Sequence, residues 1–445
     1  MPGVSVIIPV YNCPSHIRSC LEHIRRSTVQ PLEVIVVDDG STDDTADVAR
    51  ELGATVLSSG GRLGPARARN TGARAAIGDV LFFIDGDVCV HPDTIQRVAA
   101  HFEEDASLDA VIGSYDDAPK VKDFLSQYRN LMHCFVHQTA EQEASTFWSG
   151  CGAIRKSVFV EHSGFDESYE RPAIEDIELG YRLRRNHHKM ILDPALQVKH
   201  LKAWSFFGLV KTDILDRGVP WTELILRDKF LPNDLNIQLS QRVSVALAFL
   251  VVGLTAIGAI YLGLPMMLPL LALLFLTLSR YEAGARFSLR YKATIGTLLL
   301  LAAIAALAWQ SNHLEIVPPV LLAYALVFLR HRYSYTVKNN RRRRFTALFI
   351  GWYLFFTILF VFTYFPTHPL VLLIFLALGG LILLNSQFYI FLAAKRGGLF
   401  ALAALPFHLL FHLYNGASFL IGLTRHMLRT RLAEGQKAVP SPTKR

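Results

Sequence analysis

The 445-residue chain is 51% hydrophobic and only 18% charged, against about 25% charged for an ordinary soluble domain. A single uniform soluble globule does not fit these values, and the average conceals a division near residue 240. Residues 1–240 carry 25 Lys and Arg against 34 Asp and Glu, whereas residues 241–445 carry 20 against 3, so the overall +8 joins a −9 half to a +17 half. Basic residues that punctuate long apolar runs suit an anionic membrane surface and argue against nucleic acid as a partner. All five cysteines lie in the first 151 residues, with no paired CxxC spacing. Disulfide stapling and a cysteine zinc site are both disfavoured.

In chain order, Val4–Val10 is a β-branched run, Ser15–Ser27 has helical spacing through Ile17, Leu21 and Ile24, and Glu33–Val37 is a second strand candidate. "DDGSTDDT" follows, where Ser41 and Thr42 are expected to cap a helix running through Val48 and Leu52, before a third strand at Ala54–Leu57. The run "GPARARNTGARAAIGDVLFFIDGD" then supplies a glycine turn, an alanine-rich helix and the apolar strand Val80–Ile84, which ends in two carboxylates. Continuous apolarity suits a strand covered on both faces. This strand and helix alternation predicts an α/β domain with a parallel sheet, and ligands of such sheets gather beyond the carboxyl ends of the strands. Asp38, Asp39, Asp85 and Asp87 fall at those ends. Two carboxylates flanking Gly86 suit a hard divalent cation whose remaining positions are filled by diphosphate oxygens and water, although an isolated DxD is also a common turn.

The string "VSVIIPVYN...EVIVVDDGSTDDT...GPARARNTG...FFIDGD" resembles the nucleotide-diphospho-sugar transferases of glycosyltransferase family 2 over most of the first 200 residues. The resemblance implies a GT-A-type, Rossmann-like mixed sheet, with Asp39 and nearby Asp38 on the base and ribose of the donor and Pro9, Tyr11 and Asn12 lining the adjoining wall. It implies that Asp85 and Asp87 hold Mg²⁺ or Mn²⁺ against the donor diphosphate. Arg69 in the "ARN" segment matches a donor-positioning residue, with Arg62, Arg67 and Arg74 as weaker candidates. Glu175 and Asp176 match the family's ED pair, with Asp176 as the base. Ser149, Gly150, Cys151 and Gly152 match the loop that faces donor sugar and acceptor, and His200 matches a histidine near metal or diphosphate. Phe147 and Trp148 either stack on a sugar or pack beneath that loop, and the adjacent pair His187 and His188 is expected to face solvent or headgroups. The QxxRW string of processive polysaccharide synthases is absent. Its nearest counterpart is "DILDRGVPW", with Arg217 and Trp221 on a different spacing.

Residues 202–240 alternate apolar and charged groups and read as amphipathic interface helices. Beyond them, apolar stretches at about 243–262, 264–279, 293–309, 315–330, 345–364 and 369–393 are candidate spans of an all-α transmembrane domain covering 241–425. With residues 1–201 taken as a cytoplasmic catalytic domain, on the strength of a start that lacks a secretory signal, the basic loops 280–292, 331–344 and 394–398 also face inward. A seventh stretch at 399–422 contains Pro406, His408, His412 and Asn415, and is read as interfacial or re-entrant so that the basic tail 426–445 stays inside.

The combined expectation is a multi-pass protein of the inner or plasma membrane. Its activity would be inverting transfer of a sugar from a nucleotide-diphospho-sugar to a lipid acceptor such as polyprenyl phosphate or a glycolipid. A processive synthase and a non-catalytic membrane scaffold are the alternatives. The sequence leaves donor, acceptor and oligomeric state open.

Overall fold

The strands of the amino-terminal domain sort their side chains by the two-residue period of the pleat. In β1 (Val4–Val10), Val4, Val6, Ile8 and Val10 enter one apolar cluster and Ile7 enters the other. In β4 (Val80–Ile84), Val80, Phe82 and Ile84 join the first cluster while Leu81 and Phe83 join the second. Both faces are therefore covered, which is why these strands read as unbroken apolar runs. The structure is a computed structural model that describes residues 2–233, 237–262 and 369–437.

The elements follow the expected order: α1 (Pro14–Arg25), β2 (Glu33–Asp38), α2 (Thr45–Glu51), β3 (Thr55–Ser58) and α3 (Pro65–Ala75) stand between β1 and β4. After β4 come β5 (Val88–Val90), α4 (Thr94–Glu104), β6 (Ala110–Tyr115), α5 (Phe124–Thr139), β7 (Cys151–Arg155), α6 (Lys156–Glu161), α7 (Glu175–Arg185) and β8 (Met190–His200). The eight-stranded sheet has the order β3-β2-β1-β4-β7-β6-β8-β5. β1, β2, β3 and β4 are mutually parallel, as the alternation predicts, and β6 pairs parallel with β8. β7 runs antiparallel to both β4 and β6, and β5 runs antiparallel to β8. The result is a mixed α/β sheet. Six strands point one way, so the ends of β2, β4, β6 and β8 and the start of β7 share one edge.

One local expectation is corrected. Ser41 and Thr42 do not cap α2, whose N-cap position is Asp44. Ser41 Oγ accepts the Asn12 N–H at 3.0 Å and Thr42 N–H donates to Asn12 Oδ1 at 2.8 Å, so both tie the first two strand-end loops together.

Within the 202–240 segment, residues 206–228 form one continuous helical rod: α8 (Phe206–Lys211), a π-helical stretch (Thr212–Gly218) and α9 (Val219–Asp228). α9 packs on α7 through Leu224, Ile225 and Trp221, and the Trp221 indole N–H donates to the Tyr181 hydroxyl at 2.9 Å. The π stretch aims Asp213 inward, where Arg129 Nη2 donates to it at 2.7 Å and the Tyr414 hydroxyl donates at 2.7 Å. Tyr414 belongs to the long last helix, and at Gly218 an added Cβ would lie 2.5 Å from Ser418 Cβ, so that approach requires the glycine.

Among the described residues four helices follow: α10 (Leu239–Leu262), then α11 (Pro369–Leu384) and α12 (Ser386–Arg396), and finally α13 (Gly398–Lys437). Leu239–Gly258 and Gly398–Thr430 are long and apolar enough to cross a membrane. The expected span 369–393 is not one straight helix. It bends by 62° at Asn385, whose side-chain amide donates to Ser244 Oγ at 2.8 Å and to the Leu381 carbonyl at 2.9 Å. The 399–422 stretch does not re-enter either, because a re-entrant segment must turn within itself and this one lies inside an unbroken 40-residue helix. That helix carries the basic tail as far as Lys437. The expected spans 264–279, 293–309, 315–330 and 345–364, with the basic loops 280–292 and 331–344, lie outside the described residues.

By internal contacts the chain divides into two units. One comprises Met1–Arg242 with Phe388–Leu402 and the chain from Tyr414 onward, and the other comprises Val243–Gln387 with Ala403–Leu413. The first break falls after Arg242, and parts of the carboxy-terminal helices group with the sheet domain.

Phe82 has no exposed surface at the centre of β4. Phe82→Ala is expected to destabilise the sheet domain by about 3–5 kcal/mol, read as a lower midpoint in denaturant-induced loss of near-UV circular dichroism.

Candidate active site

The common strand edge gathers the predicted residues. Asp85 follows β4, Tyr115 closes β6, His200 closes β8, and Ser149 and Gly150 lead into β7. Gly86 sits under the first loop, where an added Cβ would meet Val10 Cγ1 at 3.1 Å and the Pro9 carbonyl at 3.3 Å. Pro9 thus supports the acidic loop from β1.

Arg69 is the hub. Its side chain is only 5% exposed and forms two ion pairs, Nη2 with Asp85 Oδ1 at 2.7 Å and Nη1 with Glu175 Oε1 at 2.8 Å. The guanidinium fork matches this divided task, holding one carboxylate on each arm. The second Glu175 oxygen accepts the Ala173 N–H at 2.9 Å. Glu175 is therefore a positioning residue, a correction to its expected place beside the base: both its oxygens are engaged and it is buried.

Asp176, next in α7, faces the other way. Its Oδ2 accepts from Ser149 N–H and Ser149 Oγ, both at 3.0 Å. Burial and then the neighbouring Glu175 charge push its carboxyl up to about 6, against the opposing pull of Arg69 and Ser149. A carboxylate near this value is poised to accept a proton at neutral pH.

A second connection runs through rings. His200 stacks on Tyr115 with centroids 4.3 Å apart, and Tyr115 contacts His133 at 4.4 Å and the edge of Trp148 at 4.9 Å. His133 stacks on His137, whose Nδ1 donates to the Gly113 carbonyl at 2.8 Å. Trp148 adjoins Ser149, so the column links His200, beside Asp87, to the loop that holds Asp176. Trp148 and Phe147 are packing residues here, Phe147 being buried among Phe83 and Phe165. Sequence reasoning missed Tyr115, His133 and His137. The four-residue spacing of the two histidines, which places both on one face of α5, was the available signal.

His200 Nε2 lies 3.8 Å from Asp87 Oδ2. Burial and then Lys202 lower this imidazole to about 3, so it is neutral and able to ligate a metal. Burial, and then Asp85, push the Asp87 carboxyl upward. Two carboxylates and a neutral imidazole at a glycine-spaced strand end form a donor set that suits Mg²⁺ or Mn²⁺. With Asp85 Oδ1 held by Arg69, an ion there would take its remaining oxygens from a ligand.

The other predicted residues divide. Asp39 is buried, and its carboxylate accepts from Ser59 Oγ at 2.7 Å, Leu63 N–H at 3.0 Å and Gly64 N–H at 2.9 Å. It fixes the 59–64 loop. Asp38 accepts the Ser41 N–H at 3.1 Å. Asn12 adopts left-handed backbone (φ 45°), and Arg62 lies over the Tyr11 ring at 4.3 Å. Together these residues shape a wall at the edge of β1 and β2. Cys151 is corrected: it is a fully buried strand residue paired with Ile84, and it does not face the cleft. Arg74 and Arg67 remain at the surface and pair with Glu167.

Arg69→Ala leaves Glu175 buried without its cation and is expected to cost about 3–5 kcal/mol. The double change with Glu175→Ala is expected to cost less than the two single changes added together. A double-mutant cycle by chemical denaturation checks this.

Residues 5–162 match the family model described as Glycosyl transferase family 2. Glycosyltransferase GlyG of Streptococcus pneumoniae is 29% identical over 162 residues, covering 35% of this chain and 54% of that protein. Validoxylamine A glucosyltransferase of Streptomyces hygroscopicus subsp. limoneus is 31% identical over 228 residues, covering 41% of this chain and 48% of that protein. The chain thus spans about half the length of these curated relatives. Among solved structures, the mannosyltransferase PcManGT from Pyrobaculum calidifontis, in complex with GDP-Man and Mn²⁺, is 21% identical. That likeness covers 72% of this chain and 86% of the other, with a TM-score of 0.43. The matched residues 5–162 contain Asp39, Arg69, Asp85, Asp87 and Ser149 of the strand-edge constellation, so this part of the amino-terminal domain is similar to glycosyl transferase family 2, while Glu175, Asp176 and His200 lie beyond the match.

Proposed function

We propose that the chain transfers a sugar from a nucleotide-diphospho-sugar to a lipid acceptor, such as polyprenyl phosphate or a glycolipid, at the membrane surface. The observation that carries this reading is the joining, through buried Arg69, of a metal-suited carboxylate pair to a proton-accepting carboxylate. The membrane component is supported by two helices long and apolar enough to span a bilayer. The catalytic domain is read as cytoplasmic, where nucleotide sugars are made.

In this reading the wall formed by Tyr11, Asn12 and the Asp39-anchored loop accepts the nucleoside. Asp85, Asp87 and His200 hold a divalent ion, which supplies positive charge against the diphosphate leaving group. Ser149 fixes the Asp176 carboxylate so that Oδ1, whose one bond in the structure is to the Ile177 N–H at 2.8 Å, faces the acceptor hydroxyl. Asp176 takes the proton as the hydroxyl oxygen bonds to the anomeric carbon and the bond to the diphosphate breaks. Attack opposite the leaving group inverts the anomeric configuration. Arg69 keeps the two carboxylate groups in register throughout.

The test is purified full-length protein in nanodiscs with labelled nucleotide sugars, extracted lipids, and either Mn²⁺ or chelator. Metal-dependent labelling of a lipid is expected, and its absence from folded protein with every donor and lipid tried would contradict the proposal. The base works only when ionised. For a hydroxyl acceptor, kcat/KM is therefore expected to be full above pH 6 and to fall about tenfold per unit below it. A profile flat from about pH 5 to about pH 7 would remove Asp176 as the base.

A further inference from the structure

At the opposite edge of the sheet from the carboxylates, three potential metal ligands meet. Glu161 ends α6, His162 is the next residue, and His188 lies on the turn between α7 and β8. Among the described residues this is the group of three in which one donor atom from each side chain lies within 4.8 Å of the others. We propose that Glu161, His162 and His188 form a zinc site, separate from the catalytic edge.

The two imidazoles face each other through their Nε2 atoms at 2.7 Å, in an edge-to-face arrangement. His188 is aimed by a second group: its Nδ1 lies 3.0 Å from Asp109 Oδ2. A proton on Nδ1 held by that carboxylate leaves the Nε2 lone pair directed toward His162. This carboxylate–imidazole arrangement is the usual support behind a metal-bound histidine. Asp109 is itself fixed by the Lys189 N–H at 2.8 Å, and left-handed backbone at His187 (φ 61°) turns the chain to present His188. The expectation that His188 faces solvent is thereby corrected, while His187 does stay exposed.

Without metal, one ring must donate a proton to the other, or two lone pairs would oppose each other. With metal, the His162 proton moves to Nδ1 and both Nε2 lone pairs point at the ion. Tetrahedral zinc at about 2.0–2.1 Å from each nitrogen needs them about 3.3 Å apart, so the pair opens by about 0.6 Å. Glu161 supplies an oxygen, and its charge with that of Asp109 balances the dication. Three protein ligands leave a fourth position for water. Zinc would staple the end of α6 to the turn before β8, two segments otherwise joined across the sheet edge by the His162–His188 contact and by Arg182, which donates to the His162 carbonyl.

The test uses metal-stripped full-length protein carrying His200→Gln as the reference background, in detergent with excess Mg²⁺, so that the Asp85–Asp87 edge does not retain zinc. Zinc retained after dialysis is counted by elemental analysis, and Co²⁺ is used as an absorbing probe. The reference is expected to keep one equivalent of zinc and to show the visible bands of low-coordinate Co²⁺. The paired change His162→Gln and His188→Gln is expected to abolish both signals. Asp109→Asn should weaken zinc about 10- to 100-fold through loss of ring support. Glu161→Gln, at an exposed position that does not threaten folding, should weaken zinc and alter the Co²⁺ spectrum. Equal zinc content in the reference and Glu161→Gln, with unchanged Co²⁺ spectra, would overturn the site. So would a reference that retains no zinc, leaving only a hydrogen-bonded imidazole pair.

Discussion

The site is organised around a buried guanidinium. Arg69 emerges from α3 into a place with almost no solvent and holds Asp85 from the end of β4 and Glu175 from the start of α7. Neither carboxylate group alone justifies burying a charge, because the desolvation cost of each ion is several kcal/mol. Two carboxylates on one fork make the arrangement tolerable, and they also dictate where the strand end and the helix must sit. The spacing between the Asp85–Asp87 loop and the start of α7 is therefore set by one side chain, whose position follows from the packing of α3 on the sheet.

The column of rings from His137 to His200 closes the circuit from the other side. Through Trp148 it reaches Ser149, and through His200 it reaches Asp87. The acidic loop and Asp176 are thus linked by a polar path and by an apolar one. The polar path fixes charge positions, while the stacked rings resist displacement without adding charge. Asp213 extends the framework outward: the π stretch turns it toward Arg129 and Tyr414, so the last long helix is bonded to the same α5 that carries His133.

Much of this was legible in the chain, for physical reasons that differ by residue. The strands of the first 84 residues were readable because two-sided burial leaves an unbroken apolar signature, and the strand-end acids followed from the sheet. Asp85, Asp87, Arg69 and Asp176 were found by their pattern. The separate tasks of Glu175 and Asp176 were not, since two adjacent carboxylates look alike until one meets Arg69 and the other Ser149. Cys151 was misplaced because a loop and the first residue of an antiparallel strand differ by a single position. Tyr115 left no signal because its contact with His133 joins β6 to α5 through tertiary packing. The bend at Asn385 was hidden by the apolar residues around it, which satisfy a hydropathy window whether or not the helix is straight.

The central claim of the proposed function is that the neighbours of the two residues bridged by Arg69 do different work: Asp87, beside Asp85, in donor and metal holding, and Asp176, beside Glu175, in the transfer step. The most direct measurement compares Asp87→Asn with Asp176→Asn in the full-length protein, recording donor binding with metal by calorimetry alongside single-turnover transfer to the acceptor. The account predicts that Asp176→Asn keeps near-normal donor affinity while transfer falls by about 10²–10⁴-fold, and that Asp87→Asn loses metal-supported donor binding. Wild-type turnover in folded Asp176→Asn, or unchanged donor and metal affinity in Asp87→Asn, would contradict it.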